Sequence, residues 1–185
     1  MRPFAWIAPL LVSVLVLAAC SQNVPEVLSS GVDPDLAAVE AAAAGVGADL
    51  AQVRAATARF HRVEVAEAAG YVNVNVGECV EHPELGAMGY HFVNFGLVDL
   101  ELDAVQPEIL VYAPGPNGQL RLGAVEYAVP IAPWDAIHGE DNPPMVLGQH
   151  LHANPYLGLY VLHAWIWRNN PAGLFEDWNP SVSCD

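Results

Sequence analysis

The chain contains no lysine. Its six basic residues are all arginines, set against 21 carboxylates, and the formal net charge is −15. Such a surface repels phosphate backbones, which argues against nucleic acid as a partner. A solvated acidic surface is the plain reading, and it names no partner by itself. Serine is scarce beyond residue 30, where only Ser181 and Ser183 remain, and no GxSxG elbow accompanies them, so serine-nucleophile hydrolysis has little support. There is no P-loop, no GxGxxG fingerprint and no HExxH pair. Cysteine is limited to Cys20, Cys79 and Cys184, with no CxxC spacing to suggest a thiolate metal site. No repeat and no low-complexity block interrupts the chain. Charged residues make up only 15% and hydrophobic residues 54%, enough for a sizeable core.

The long apolar run is confined to the N-terminus. Arg2 supplies a positive start, Phe4 to Leu17 an apolar stretch, and Leu17-Ala18-Ala19-Cys20 a small-residue ending. The run is shorter than the roughly 20 residues a spanning helix needs. It reads as a bacterial lipoprotein signal, residues 1–19, with Cys20 the lipidated new N-terminus. An ordinary secretory signal or a short anchor also accommodates the run, but neither uses the fit of Leu-Ala-Ala-Cys to a lipobox. Two or three acyl chains suffice for stable anchoring where one alone is marginal. The protein is then expected on the extracytoplasmic face of a bacterial membrane or envelope, held there by lipid. Residues 20–33 are polar, broken by Pro25 and Gly31, and read as a tether. Residues 34–185 suit a single globular domain.

With Cys20 assigned to lipid, Cys79 and Cys184 remain as a pair. In an exported domain that even remainder predicts a disulfide. Paired metal thiolates are the weaker alternative.

Asp33-Pro34-Asp35 and the alanines to Ala44 predict a short capped helix. Gly45 and Gly47 are expected to interrupt it before a longer helix over 49–69, closed by Gly70. After Tyr71 the texture becomes β-rich, with strands expected over 88–98, 108–113, 119–130 and 157–167. Pro114 to Gly118 form a turn that makes the second and third runs a hairpin. Residues 131–156 read as a dense Pro/Asn/Gly loop, too long for a mere connection. The last stretch alternates Asn-Pro and Gly with Phe175 and Trp178, an irregular segment pinned by aromatics and by Cys184. The expected fold is α+β, with N-terminal helices packed on an antiparallel sheet.

Strand parity sorts the seven histidines. His91 shares a face with Gly89, Val93 and Phe95; Glu126 with Leu120, Leu122, Ala124 and Ala128; His163 with Leu159, Val161, Trp165 and Trp167. Each polar group thus sits in an apolar row. A buried carboxylate is costly unless it is paired or ligates a cation. His91, Glu126 and His163 therefore form either a hydrogen-bonded core network or a divalent-metal site for zinc or copper, with two imidazoles, one carboxylate and an open side. His152, from the His-Leu-His of the long loop, or His61, from the long helix, is a further candidate ligand. His150 shares that loop but fixes no direction, and His82 and His138 read as solvent-exposed. Tyr90, Trp165 and Trp167 are the candidate pocket walls, and Trp178 joins the two tryptophans as a candidate floor. The same aromatics fit a plain core equally well. Asp99, Glu101 and Asp103 read as one exposed face of a strand end.

Four strings carry a resemblance: ATARFHRVEVAEAAGY (56–71), CVEHPELGAMGYHFVN (79–94), PEILVYAPGPNGQLRLGAVEY (107–127) and LHAWIWRNNPAGLFEDWNPSVSC (162–184). They resemble a group of bacterial exported proteins and lipoproteins of uncharacterised function, over most of the mature domain. The Met-Gly-Tyr-His, Val-Glu-Tyr and Leu-His-x-Trp-x-Trp strings of that group hold His91, Glu126 and His163 here. The resemblance implies a shared site or a shared core, and no activity. Three functions stay open on these residues: a lipid-anchored binder of a metal or small ligand, a metal-assisted hydrolase with Glu126 as ligand or general base, and a structural envelope protein whose polar network takes no ligand.

Overall fold

The computed structural model describes residues 34–74 and 78–185. The signal, Cys20 and the tether lie outside them. No helix among the described residues is long and apolar enough to cross a membrane.

One helix, α1 (Pro34–Thr57), runs unbroken through Gly45 and Gly47. Glycine costs only about 1 kcal/mol against alanine inside a helix, and the surrounding alanines absorb it. The interruption comes later, as a 3-10 turn at Ala58–His61, before a short α2 (Val63–Ala68). Gly70, with φ +97°, ends α2 as expected: its N–H donates to Glu67, and the Tyr71 N–H donates to Ala66. Among the α1 side chains described, from residue 38 on, Val53 and Thr57 near its end are buried. There the Trp167 indole N–H donates to Thr57 Oγ1 at 3.1 Å, and Arg54 Nε donates to the Ile166 carbonyl at 2.9 Å.

The strands are β1 (Val72–Asn73), β2 (Val80–His82), β3 (Gly86–Val93), β4 (Ile109–Pro114), β5 (Leu120–Pro130), β6 (Met145–Val146), β7 (Gln149–His150), β8 (His152–Asn154) and β9 (Leu159–Ala164). The main sheet is antiparallel in the order β1-β3-β4-β5-β9-β8, with β2 also paired to β3. The loop over 131–156 carries structure of its own: helix α3 (Ile131–His138), the β6–β7 hairpin and the edge strand β8. The acidic run 99–103 is not strand; Asp99 Oδ1 and Asp103 Oδ1 accept backbone N–H groups two residues on, as turn formers do.

The two faces of the sheet differ in the size of their side chains. The helix-covered face packs Phe92, Leu110, Tyr112, Val125, Tyr127 and Leu162 against Val53, Phe60 and Tyr71. The opposite face carries Ala87, Ala113, Ala124, Ala128, Val111 and Val161, with Trp165 and Val182 at one end. Small residues there leave depth above the sheet. A bulge at Gly123 shifts the register, so that Val111 pairs with Ala124 but Tyr112 with Leu122. Leu120 and Leu122 therefore turn to the helix side and do not share Glu126's face. Trp165 packs over this bulge, and a Cβ on Gly123 would stand 3.3 Å from its ring.

The C-terminal segment covers one end of the open face. Asn179 exchanges backbone hydrogen bonds with Ala87, and the buried Asn170 side chain donates to the Trp178 carbonyl. The approach is close: a Cβ on Gly86 would lie 2.2 Å from the Asn179 carbonyl oxygen. The disulfide Cys79–Cys184, across a separation of 105 residues, ties this segment to the start of the sheet.

Candidate metal centre

Glu126 and His163 face each other directly across β5 and β9. Ile109 on β4 is Glu126's other neighbour, and Val93 on β3 lies beyond Ile109. His91 is two residues before Val93, one step along the same face, so it reaches Glu126 diagonally over β4. Ala124 and Ala128 flank Glu126 on its own face and leave room for the imidazoles to lean inward.

Three donor atoms converge. His91 Nε2 lies 3.5 Å, and His163 Nε2 3.7 Å, from Glu126 Oε2. All three fall within 4.8 Å of one another, forming a group that can hold a metal ion. Four-coordinate bonds of about 2.05 Å would set ligand atoms about 3.4 Å apart, so the observed spacings fit with little movement. The side chains of Glu126 and His163 are 5% and 2% exposed, and neither Glu126 Oε2 nor His163 Nε2 has a hydrogen-bond partner among the described residues.

Asp177 explains why His163 Nε2 has a lone pair to offer. Asp177 Oδ1 lies 3.1 Å from His163 Nδ1, and its Oδ2 lies 3.1 Å from His152 Nε2. A carboxylate accepts, so Nδ1 of His163 carries the proton and Nε2 is left bare in the neutral ring. In that neutral ring two lone pairs face each other in a buried place, whereas in the imidazolium Nε2 turns a proton toward Glu126. A carboxylate bonded to the far nitrogen of a ligating histidine is the usual outer partner of such a ligand. Burial alone would raise Asp177, but the bonds from His152 and His163 outweigh it and hold the carboxyl far below the ordinary carboxylate range. Burial likewise pulls His163 down, yet Glu126 and Asp177 together raise it. His91 is lowered, chiefly by burial, which favours the neutral ligand form. His152 is raised, first by its bond to Asp177.

The centre opens into a cavity of about 720 Å³, with His91, Glu126, His163 and Asp177 among its lining residues and Trp178 on its wall. Trp165 is buried and stacks near His163, with ring centroids 6.4 Å apart, but packs at the end of the same face and does not line that cavity. Tyr90 and Trp167 pack on the opposite, helix-covered side. Strand β9 ends at Ala164, so parity does not carry from His163 to Trp167. His61 is also on that side, its ring against Trp167 at 4.3 Å, far from the donors it was expected to join. His152 reaches the centre only through Asp177. His150 and His138 are exposed; His82, half-buried, accepts two turn N–H groups with Nδ1 and packs on Trp178.

Asp177 is the residue that sequence reasoning missed. It lies in the irregular segment, where no period assigns a face. Its one signal is a carboxylate set between Phe175 and Trp178 in a stretch tied down by Cys184.

No family model, no curated protein and no solved structure matches this chain.

Proposed function

We propose that this chain is a lipid-anchored, extracytoplasmic protein that binds a divalent transition metal, zinc or copper, through His91, Glu126 and His163. The carrying observation is the pair of buried, unpartnered atoms, Glu126 Oε2 and His163 Nε2, with the second imidazole nitrogen of His91 beside them. A cation turns three facing lone pairs from a cost into bonds. Three protein ligands and an adjoining cavity leave a position for a small ligand. The anchor rests on the Leu17-Ala18-Ala19-Cys20 string, and a Cys79–Cys184 bond suits an oxidising compartment.

Metal-assisted hydrolysis is the second reading. The cavity beside the donors favours it, because a cation with an open position can activate water or polarise a carbonyl. A purely structural network gains nothing from a hollow of that size above it.

Elemental analysis of protein exported and purified without a His tag tests the metal reading. The expected result is about one equivalent of zinc or copper, with a melting temperature that falls on chelation. No metal, together with unchanged melting in chelator, would overturn it.

A further inference from the structure

We infer that the ligand taken at this centre is a small, uncharged molecule with an apolar body and one metal-coordinating head. The inference rests on the metal reading and concerns what fills the cavity above it. The ionisable groups gather at the floor: Glu126, His91 and His163 converge there, and Asp177 is occupied by His163 and His152, while Asn154 also lines the cavity with its Oδ1 accepting the Leu157 N–H. The walls are apolar, with Met88, Val98 and Leu159 among them. The rim is apolar as well: Phe95 is 65%, Tyr156 98% and Leu157 63% exposed. These large side chains border one hollow and are not spread over a flat patch, and apolar groups gathered around a concave site mark a ligand surface.

Charge narrows the class. No arginine lines the cavity, so an organic acid would find no counter-ion except the metal, in a chain of net charge −15. A cationic body would meet no free carboxylate in the lining, since Glu126 is engaged by the metal and Asp177 by two imidazoles. The volume, about 720 Å³, lies in the range of pockets that enclose small organic molecules. A neutral body with a single donor satisfies both the floor and the walls.

The test uses purified protein loaded with cobalt(II), whose visible absorption reports ligand exchange, titrated with 1-methylimidazole and 1-heptylimidazole. Both carry the same neutral coordinating head and differ only in the chain. Each methylene that enters the walls is expected to tighten binding by about threefold to fourfold, so the longer ligand binds at least ~100-fold tighter. F95S and L157S are expected to erase at least ~10-fold of that preference while leaving the cobalt spectrum of the ligand-free protein unchanged. Equal affinities with a normal cobalt spectrum would overturn the ligand class alone. The same equality with a concentration-dependent dimer that F95S and L157S abolish would assign the rim to a second copy, and overturns it too. Absence of any cobalt spectrum would overturn the metal reading itself, and the coordinating head with it.

Discussion

His163 Nδ1 stands 3.1 Å from Asp177 Oδ1, and this contact sets what the other side of the imidazole can do. In the neutral ring, with the proton held on Nδ1, Nε2 meets Glu126 Oε2 as lone pair to lone pair, 3.7 Å away. A residue from the irregular C-terminal segment thus orients a candidate ligand on the last long strand. His152 steadies Asp177 from the edge strand and joins three elements into one support.

Asp177→Asn keeps the size of the side chain but weakens its hold on the Nδ1 proton. Metal affinity is expected to fall about 10–100-fold, the usual cost of losing an outer-shell carboxylate. Competition against a chromophoric chelator measures it, with circular dichroism checking that the fold is retained. Unchanged affinity would mean that Asp177 serves only to seat the C-terminal segment.

Glu126→Gln should act with opposite signs in the two states. Without metal, and at a pH high enough to keep His163 neutral, the amide can donate to His163 Nε2 and end the confrontation of lone pairs, so stability should rise by about 1–3 kcal/mol. With metal in excess, the stabilisation that metal confers on the wild type should be lost, because the anionic ligand is gone. Thermal melts with and without zinc read both effects. A drop in stability of the metal-free variant would show that the site needs the charge for some other purpose.

Glu108 makes stability depend on pH away from the candidate metal centre. It is 1% exposed, and its Oε2 accepts the Ala128 N–H. Burial pushes its carboxyl from 4.5 up to about 8. The native state therefore keeps a proton that the unfolded chain releases near 4.5. The contribution is full below that value and is lost as pH rises through about 8. Urea denaturation should show stability falling by a few kcal/mol, on the order of 1.4 per pH unit at most, between pH 5 and pH 8. Glu108→Gln should flatten that slope, and an unchanged slope would assign it to other groups.

The Cys79–Cys184 bond closes a loop across 105 residues. In the chain-entropy model such a loop is worth about 4–5 kcal/mol. Replacing both cysteines by serine should lower unfolding free energy by about that amount, read by urea denaturation at fixed pH. The same change should raise the mobility of the segment that carries Asp177, and metal affinity should weaken with it. A double variant as stable as the wild type would place the segment's order in Asn170 and Asn179 alone.

Much of this was legible in the linear chain. Alternation of apolar and polar residues is a local property, so His91, Glu126 and His163 stood out as polar members of apolar rows before any strand was paired. Counting three cysteines, with Cys20 read as a lipobox cysteine, left Cys79 and Cys184 as the natural pair. The helix-then-strand texture was enough for an α+β class. Parity held only while the strand stayed regular. At Gly123 a bulge sent Leu120 and Leu122 to the other face, and beyond Ala164 the strand ended, which put Trp167 on the helix side.

The sequence by itself determined which residue types had to find partners: buried imidazoles and a buried carboxylate cannot stand alone in an apolar sheet. Only the tertiary structure decided which partners they found. The order of the strands put β3 and β9 on either side of the hairpin that carries Glu126, a pairing set by long-range hydrogen bonds and not by spacing. The path of the C-terminal segment, tied by Asn179 and Cys184, delivered Asp177 to His163 and left His61 behind the sheet. Directions within a strand are local and periodic; contacts between distant segments depend on how the whole chain closes on itself.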